Sequence, residues 1–170
     1  NQFTKKQYSN MSTELRSSDR GAAVKLPYVT GLKVGVVAAE WNAEVTDALL
    51  KGVTDRLAEL GYPADAVETH RVPGTVELTF GASQLARTGR FSAVIMIGCV
   101  IRGGTPHFDY VCDNATQGCA YLNATGNVPV IFCVLTTENQ QQAIDRAGGA
   151  LGNKGTEAAD AAVQMAAFKQ

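Results

Sequence analysis

Four short segments of this 170-residue chain concentrate side chains able to bind anions or move protons. The richest is Gly98-Cys99-Val100-Ile101-Arg102-Gly103-Gly104-Thr105-Pro106-His107. A glycine-rich loop carrying the Thr105 hydroxyl and opening into a helix start offers converging backbone N–H groups to an anion, for which phosphate is the natural candidate. The segment lacks the Lys-Ser/Thr ending of a P-loop and the GxGxxG spacing of a dinucleotide site, so a nucleotide is not indicated. His107 opens the following helix. An imidazole with an ordinary pKa of about 6.5 suits proton transfer near neutral pH, and a structural histidine is the alternative.

Trp41, the only tryptophan, follows an apolar run and stands beside Asn42. Its flat ring either stacks on a heteroaromatic ligand or covers the end of the core. In Pro73-Gly74-Thr75-Val76-Glu77, Gly74 lets backbone approach a ligand and Thr75 can cap a helix, while Glu77 reads as a helix-start charge or as an acceptor for a ligand hydroxyl. Arg146 and Lys154 make the last cluster. A planar guanidinium can clamp phosphate, although a surface ion pair is its commoner role, and a lysine at a helix N-terminus opposes the dipole and calls for another reason to be there. These cations need not act in their own subunit. Cys99, Cys112, Cys119 and Cys133 form no CxxC pair and have no histidine at metal-ligand spacing, so they read as reduced thiols, with no metal site.

Strands and helices alternate to position these residues. Apolar β-rich runs predict strands over Leu32–Glu40, Asp65–Val72, Ser92–Cys99 and Val128–Leu135. Helical spacing predicts helices over Ala43–Leu60, Val76–Thr88, Phe108–Thr125, Glu138–Gly148 and Lys154–Phe168. Such alternation implies a flavodoxin-like α/β domain, a three-layer sandwich with a mostly parallel four-stranded sheet. Ala22–Thr30, interrupted by Pro27, reads as an arm strand that pairs outside its own sheet. Asn1–Gly21 lacks an apolar period and is expected to be a disordered or added leader, with Met11 the candidate native start; the domain is expected over 22–170. Ligands collect at the carboxyl ends of parallel strands, which selects Glu40–Asn42, Val72–Glu77, Ile101–His107 and Phe132–Thr137 as the segments expected to meet one.

Composition narrows the function further. Apolar residues make up 45% and charged residues 18%, with 15 Lys and Arg against 16 Asp and Glu, a net charge of -1. That balance is not the electrostatic footprint of a nucleic-acid binder. The longest apolar stretches end well short of the roughly 20 residues that span a bilayer, so no membrane span is expected. No signal peptide is visible, which makes the cytoplasm the default location.

Taken together, Glu40-Trp41-Asn42, Arg71-Val72-Pro73-Gly74 with Glu77, GCVIRGGTPHFDYV from Gly98, VPVIFCVLTTEN from Val128 and DRAGGALGNKG from Asp145 resemble the 6,7-dimethyl-8-ribityllumazine synthase family over about Leu32–Phe168. The resemblance implies condensation of 5-amino-6-(D-ribitylamino)uracil with 3,4-dihydroxy-2-butanone 4-phosphate, the penultimate step of riboflavin biosynthesis, with no cofactor. It puts Trp41 on the pyrimidine and Asn42 near the ribityl chain. Thr75, Val76 and Glu77 would hold the pyrimidine and ribityl hydroxyls, with Val100 and Ile101 lining the ring pocket. Phe132 would come from an adjacent subunit, Gly104 and Thr105 would form the phosphate loop, and Arg146 would bind the phosphate. His107 would be the general acid/base and Lys154 would stand near the pyrimidine side. Thr75-Val76 departs from the common Ala-Phe, and Gly104 from Glu or Ala.

The resemblance also implies a homopentamer with sites shared between adjacent subunits, and in shell-forming members a 60-subunit assembly. The short Gly148–Gly152 connection is of the shell-forming type. A silent lumazine-binding relative would lose His107 or Arg146, and both are present. A generic flavodoxin-like module would not need all five motifs.

Overall fold

A computed structural model of the protein describes residues 25–170. Four strands, β1 (Val34–Ala39), β2 (Val67–Val72), β3 (Ala93–Ile101) and β4 (Val130–Thr137), form one parallel sheet in the order β2-β1-β3-β4. Five helices cover it: α1 (Ala43–Glu59), α2 (Leu78–Arg87), α3 (His107–Thr125), α4 (Gln140–Arg146) and α5 (Lys154–Lys169). The order and the two covered faces are those of a flavodoxin-like three-layer sandwich.

The burial pattern explains the sequence pattern. β1 is buried at all six positions and β3 at eight of nine, so both read as continuous apolar runs with no alternation. Alternate residues divide between two cores. Val36, Ala38, Ile95 and Ile97 pack with Leu49 and Val53 of α1 and with Ala159 and Ala162 of α5. Val37, Val94 and Met96 pack with Leu78 and Ala82 of α2 and with Val111 of α3. β2 and β4 are the sheet edges, and β2 accordingly carries the polar sequence VETHRV.

The chain passes from β1 to β2 on one side and then crosses over β1 to β3, so strand order reverses between β1 and β3. That reversal opens a crevice at their carboxyl ends, the expected ligand site of such a sheet. No helix among the described residues is long and apolar enough to cross a membrane.

Several elements differ from the sequence expectation. β4 starts two residues late, after Pro129, whose ring nitrogen has no hydrogen to donate; its carbonyl accepts from Val94 N–H at 2.9 Å. Thr136 and Thr137 are thereby strand residues. The helix expected over 138–148 ends at Arg146, and β5 (Ala147–Gly149) pairs antiparallel with β6 (Gly152–Asn153). Gly148 (φ 102°) and Gly152 (φ 82°) supply the left-handed conformations this hairpin needs. The helix expected from Val76 begins instead with a 3-10 turn over Thr75–Glu77. Residues 25–30 pair with no strand among the described residues, as a strand meant for another sheet would not; Val29 N–H donates to the Tyr62 hydroxyl at 2.9 Å and Tyr28 stacks on the Tyr62 ring at 4.8 Å. The first residues of the expected arm, 22–24, and the leader over 1–21 lie outside the described residues.

Candidate functional site

The crevice is built first by the ends of β1 and β2. Glu40 and Trp41 extend the β1–β2 pairing, their N–H groups donating to the carbonyls of Val72 (2.8 Å) and Pro73 (3.1 Å). Trp41 is 73% exposed and belongs to neither core, which removes the reading in which it covers the core end. A Cβ at Gly74 would stand 3.3 Å from Trp41 Cε3, so the ring lies against bare backbone. An exposed indole fixed along one edge is a stacking platform.

Asn42 performs a structural task that sequence reading did not assign. The β1–β3 ladder stops at Ala38 opposite Ile97. Asn42, in the left-handed region at φ 60°, continues it by donating Nδ2–H to the Cys99 carbonyl at 2.9 Å. Asn42→Gly keeps the conformation and loses the bond, and is expected to cost about 1 kcal/mol; Asn42→Ala adds backbone strain and costs about 2 kcal/mol. Urea denaturation of the two variants against wild type checks the order.

Glu77 is a helix-start carboxylate: its Oε2 accepts from Gly74 N–H at 3.0 Å. The bland reading therefore holds for one oxygen, and the other has no hydrogen bond among the described residues. Thr75 is buried against Gly98, where a Cβ would meet the Thr75 Oγ1 at 2.8 Å. Gly98 thus lets the 75–77 turn sit directly on β3. Val76 is exposed, Val100 is buried at the strand end and Ile101 is half-buried.

The loop after β3 runs from Arg102 to Pro106, and α3 begins at His107. Gly103 and Gly104 face open space. His107 backbone N–H reaches the Thr105 Oγ1 at 3.4 Å, a long capping contact, and the imidazole is exposed with no hydrogen bond among the described residues. The loop is anchored at its start by Arg102. The Arg102 N–H donates to the Thr137 carbonyl (2.8 Å) and its Nε donates to Glu138 Oε2 (2.9 Å). Its guanidinium lies 4.2 Å above the Phe108 ring, with Nη1 3.5 Å from Asp109 Oδ1.

Phe132, Arg146 and Lys154 come together elsewhere, in a depression of about 430 Å³ along the free edge of β4. Its lining includes Glu157 and Ala158, and none of Trp41, Asn42, Glu77, Val100, Thr105 or His107. Register explains the separation. Phe132 pairs with Met96 while Thr136 pairs with Val100, so Phe132 lies four positions back from the level of Val100, about 13 Å at 3.3 Å per residue. Arg146 Nη1 donates to the Gln142 carbonyl at 3.0 Å and makes no salt bridge among the described residues, so the expected surface ion pair is not formed. Lys154 has one: its Nζ lies 2.6 Å from Glu157 Oε2. The i,i+3 spacing of the two was the available signal for Glu157, and it also explains why a lysine is tolerated at a helix start.

No thiol is poised as a nucleophile. Burial pushes Cys99 up to about 11 and Cys133 up to about 12, so both are protonated at neutral pH. No group of three or more His, Cys, Asp and Glu side chains stands in metal-binding reach among the described residues.

Against known proteins, residues 31–170 match the family model described as 6,7-dimethyl-8-ribityllumazine synthase. Similar proteins bearing that same name occur in Porphyromonas gingivalis (52% identical over 145 residues, 85% of this chain and 90% of the relative) and Bacteroides fragilis (52% over 137 residues, 81% and 96%). A third, from Flavobacterium johnsoniae, is 45% identical over 160 residues, covering 94% of this chain and 84% of the relative.

Proposed function

The chain belongs to the 6,7-dimethyl-8-ribityllumazine synthase family, and from that premise we propose that each working site is assembled from two copies of it. The enzyme is a transferase that condenses 5-amino-6-(D-ribitylamino)uracil with 3,4-dihydroxy-2-butanone 4-phosphate in riboflavin biosynthesis. The primary amine adds to the ketone and a first water leaves, and phosphate is eliminated to give an enol that tautomerises to a second ketone. The ribityl-bearing amine adds to that ketone with loss of a second water to close the ring. These steps call for orientation, proton transfer and leaving-group stabilisation, and for no protein nucleophile.

One copy supplies the crevice. Trp41 stacks on the pyrimidine, with Val100 and Ile101 lining the ring pocket. Thr75, Val76 and Glu77 hold the pyrimidine and the ribityl hydroxyls, and the side-chain Oδ1 of Asn42, whose Nδ2 donates to the Cys99 carbonyl, is left for the ribityl chain. Gly104 and Thr105, with the N–H groups at the start of α3, take the phosphate, and the exposed imidazole of His107 shuttles protons. The neighbouring copy supplies Phe132 against the pyrimidine, Arg146 on the phosphate and Lys154 on the pyrimidine side.

The observation that carries this reading is the division of the charged and aromatic residues into two groups, one at the crevice and one beside the free β4 edge, in a reaction that needs both. A further support is the exposure of Phe80, Tyr110 and Tyr121, large apolar surface on the α2/α3 layer of the kind that interfaces bury. Tyr110 and Tyr121 are eleven residues apart on α3, three turns along one face. We assign the assembly as a homopentamer, extended by the short 148–152 hairpin to a 60-subunit shell, with the 22–30 arm adding a strand to a neighbour's edge. The four free cysteines suit the reducing cytoplasm.

The test is mixing. His107→Ala and Arg146→Ala are each expected to be nearly inactive as pure proteins. Co-assembled at equal ratio, they regain about a quarter of wild-type activity, because about one interface in four joins an intact His107 to an intact Arg146. Sites built within single copies would regain nothing. Sedimentation of the wild type separates the pentamer from the shell.

A further inference from the structure

The mouth of the 103–107 loop carries two acids, Asp109 in the first turn of α3 and Glu138 directly after β4, both exposed. A phosphate ester entering the loop meets them as like charges, a repulsion only partly relieved by water. Between them stands Arg102, the residue that opens the loop after β3. Its Nε donates to Glu138 Oε2 at 2.9 Å and its Nη1 lies 3.5 Å from Asp109 Oδ1. The guanidinium plane lies over Phe108, 4.2 Å from the ring centroid, and its backbone N–H is tied to the Thr137 carbonyl at 2.8 Å. Ring and backbone together hold the cation at one place between loops that belong to different strands.

Resting on the reading of this loop as the phosphate loop, we infer that Arg102 is a positioning and charge-balancing residue for the sugar phosphate. It neutralises Asp109 and Glu138 and joins the β3–α3 loop to the β4–α4 loop. The N–H groups of residues 103–107 then face the phosphate without two uncompensated acids beside them. Its named donors are engaged by carboxylates, so its task differs from that of Arg146, which has no salt-bridge partner among the described residues. Pairs as exposed as these contribute little to folding, which assigns the value of the arrangement to binding.

The experiment compares the full-length wild type with Arg102→Gln, Arg102→Lys and the triple variant Arg102→Gln/Asp109→Asn/Glu138→Gln, using steady-state kinetics and inhibition by inorganic phosphate. Arg102→Gln is expected to raise KM for the sugar phosphate and Ki for inorganic phosphate together by about tenfold, leaving kcat and KM for the pyrimidine within about twofold. The difference from wild type shrinks as salt is added. Arg102→Lys recovers most of the loss, and the triple variant returns to within about threefold of wild type because no acid remains to be neutralised. A triple variant as weak as Arg102→Gln overturns the inference, as does an Arg102→Gln variant in which kcat and both KM values shift together. A wild type insensitive to inorganic phosphate overturns the phosphate-loop reading itself, and the inference with it.

Discussion

Arg146→Ala is expected to lower kcat/KM for the sugar phosphate by about 100-fold while leaving KM for the pyrimidine nearly unchanged. A forked, charge-assisted pair between guanidinium and phosphate contributes about 2 to 3 kcal/mol when the cation is already positioned. Arg146 meets that condition. One of its N–H groups donates to the Gln142 carbonyl at 3.0 Å, and no carboxylate pairs with it among the described residues, so no internal partner has to be displaced. Because phosphate is also the leaving group, the loss falls on kcat as well as on KM. Arg146→Lys restores the charge without the planar fork and recovers only part of the rate. Lumazine absorbance and phosphate release, followed together, read both effects. Unchanged kinetics in Arg146→Ala would assign the phosphate to other groups.

Gly155→Ala is the substitution expected to damage the fold most, by about 3 kcal/mol or more. Gly155 is the second residue of α5, where that helix crosses α1, and a Cβ built on it falls on the Leu49 carbonyl oxygen and 2.8 Å from the Leu49 carbonyl carbon. Both are backbone atoms, which cannot rotate aside. The neighbouring join is equally tight. Asn153 caps α5 by accepting from Gly155 N–H at 2.8 Å and donates to the Ala48 carbonyl at 3.0 Å, and Gly52 leaves the space its side chain occupies. An added methyl must push α5 from α1 and open the core shared by Leu49, Val53, Ala159 and Ala162, taking Lys154 with it. Gly103→Ala is the control: its Cβ meets nothing within 4 Å, and the variant is expected to unfold at the wild-type urea concentration. Equal midpoints for all three proteins would mean that the close α1–α5 approach is absent in solution.

Gly155 and its neighbour Asn153 mark the boundary of what the sequence makes legible. The DRAGGALGNKG motif was readable as a motif, and through the resemblance its Arg146 and Lys154 were readable as candidate site residues. That Asn153 and Gly155 hold α5 on α1 was not, because the partner atoms belong to residues 48 and 49, more than a hundred positions away. Glu77 and Lys154 differ, because their partners stand only three residues away and spacing could have suggested them. Their charge and their places at helix starts were plain, and the Gly74 N–H and the Glu157 carboxylate that engage them are set by local geometry.

The amino-acid sequence by itself determined the α/β class, the four strands and five helices, and the gathering of chemistry at strand ends. Those follow from periodicity, since burial on two faces writes an unbroken apolar run in β1 and β3 and burial on one face writes a stripe in α1. Only the tertiary structure decided three other matters: the two-residue shift of β4, the turning of 147–153 into a hairpin, and the separation of Phe132, Arg146 and Lys154 from the crevice. Periodicity reports which face a side chain presents, whereas register, close approach and ion pairing depend on distances between segments remote in the chain. Arg102 and Glu138, 36 residues apart and in hydrogen-bond contact, are one such pair.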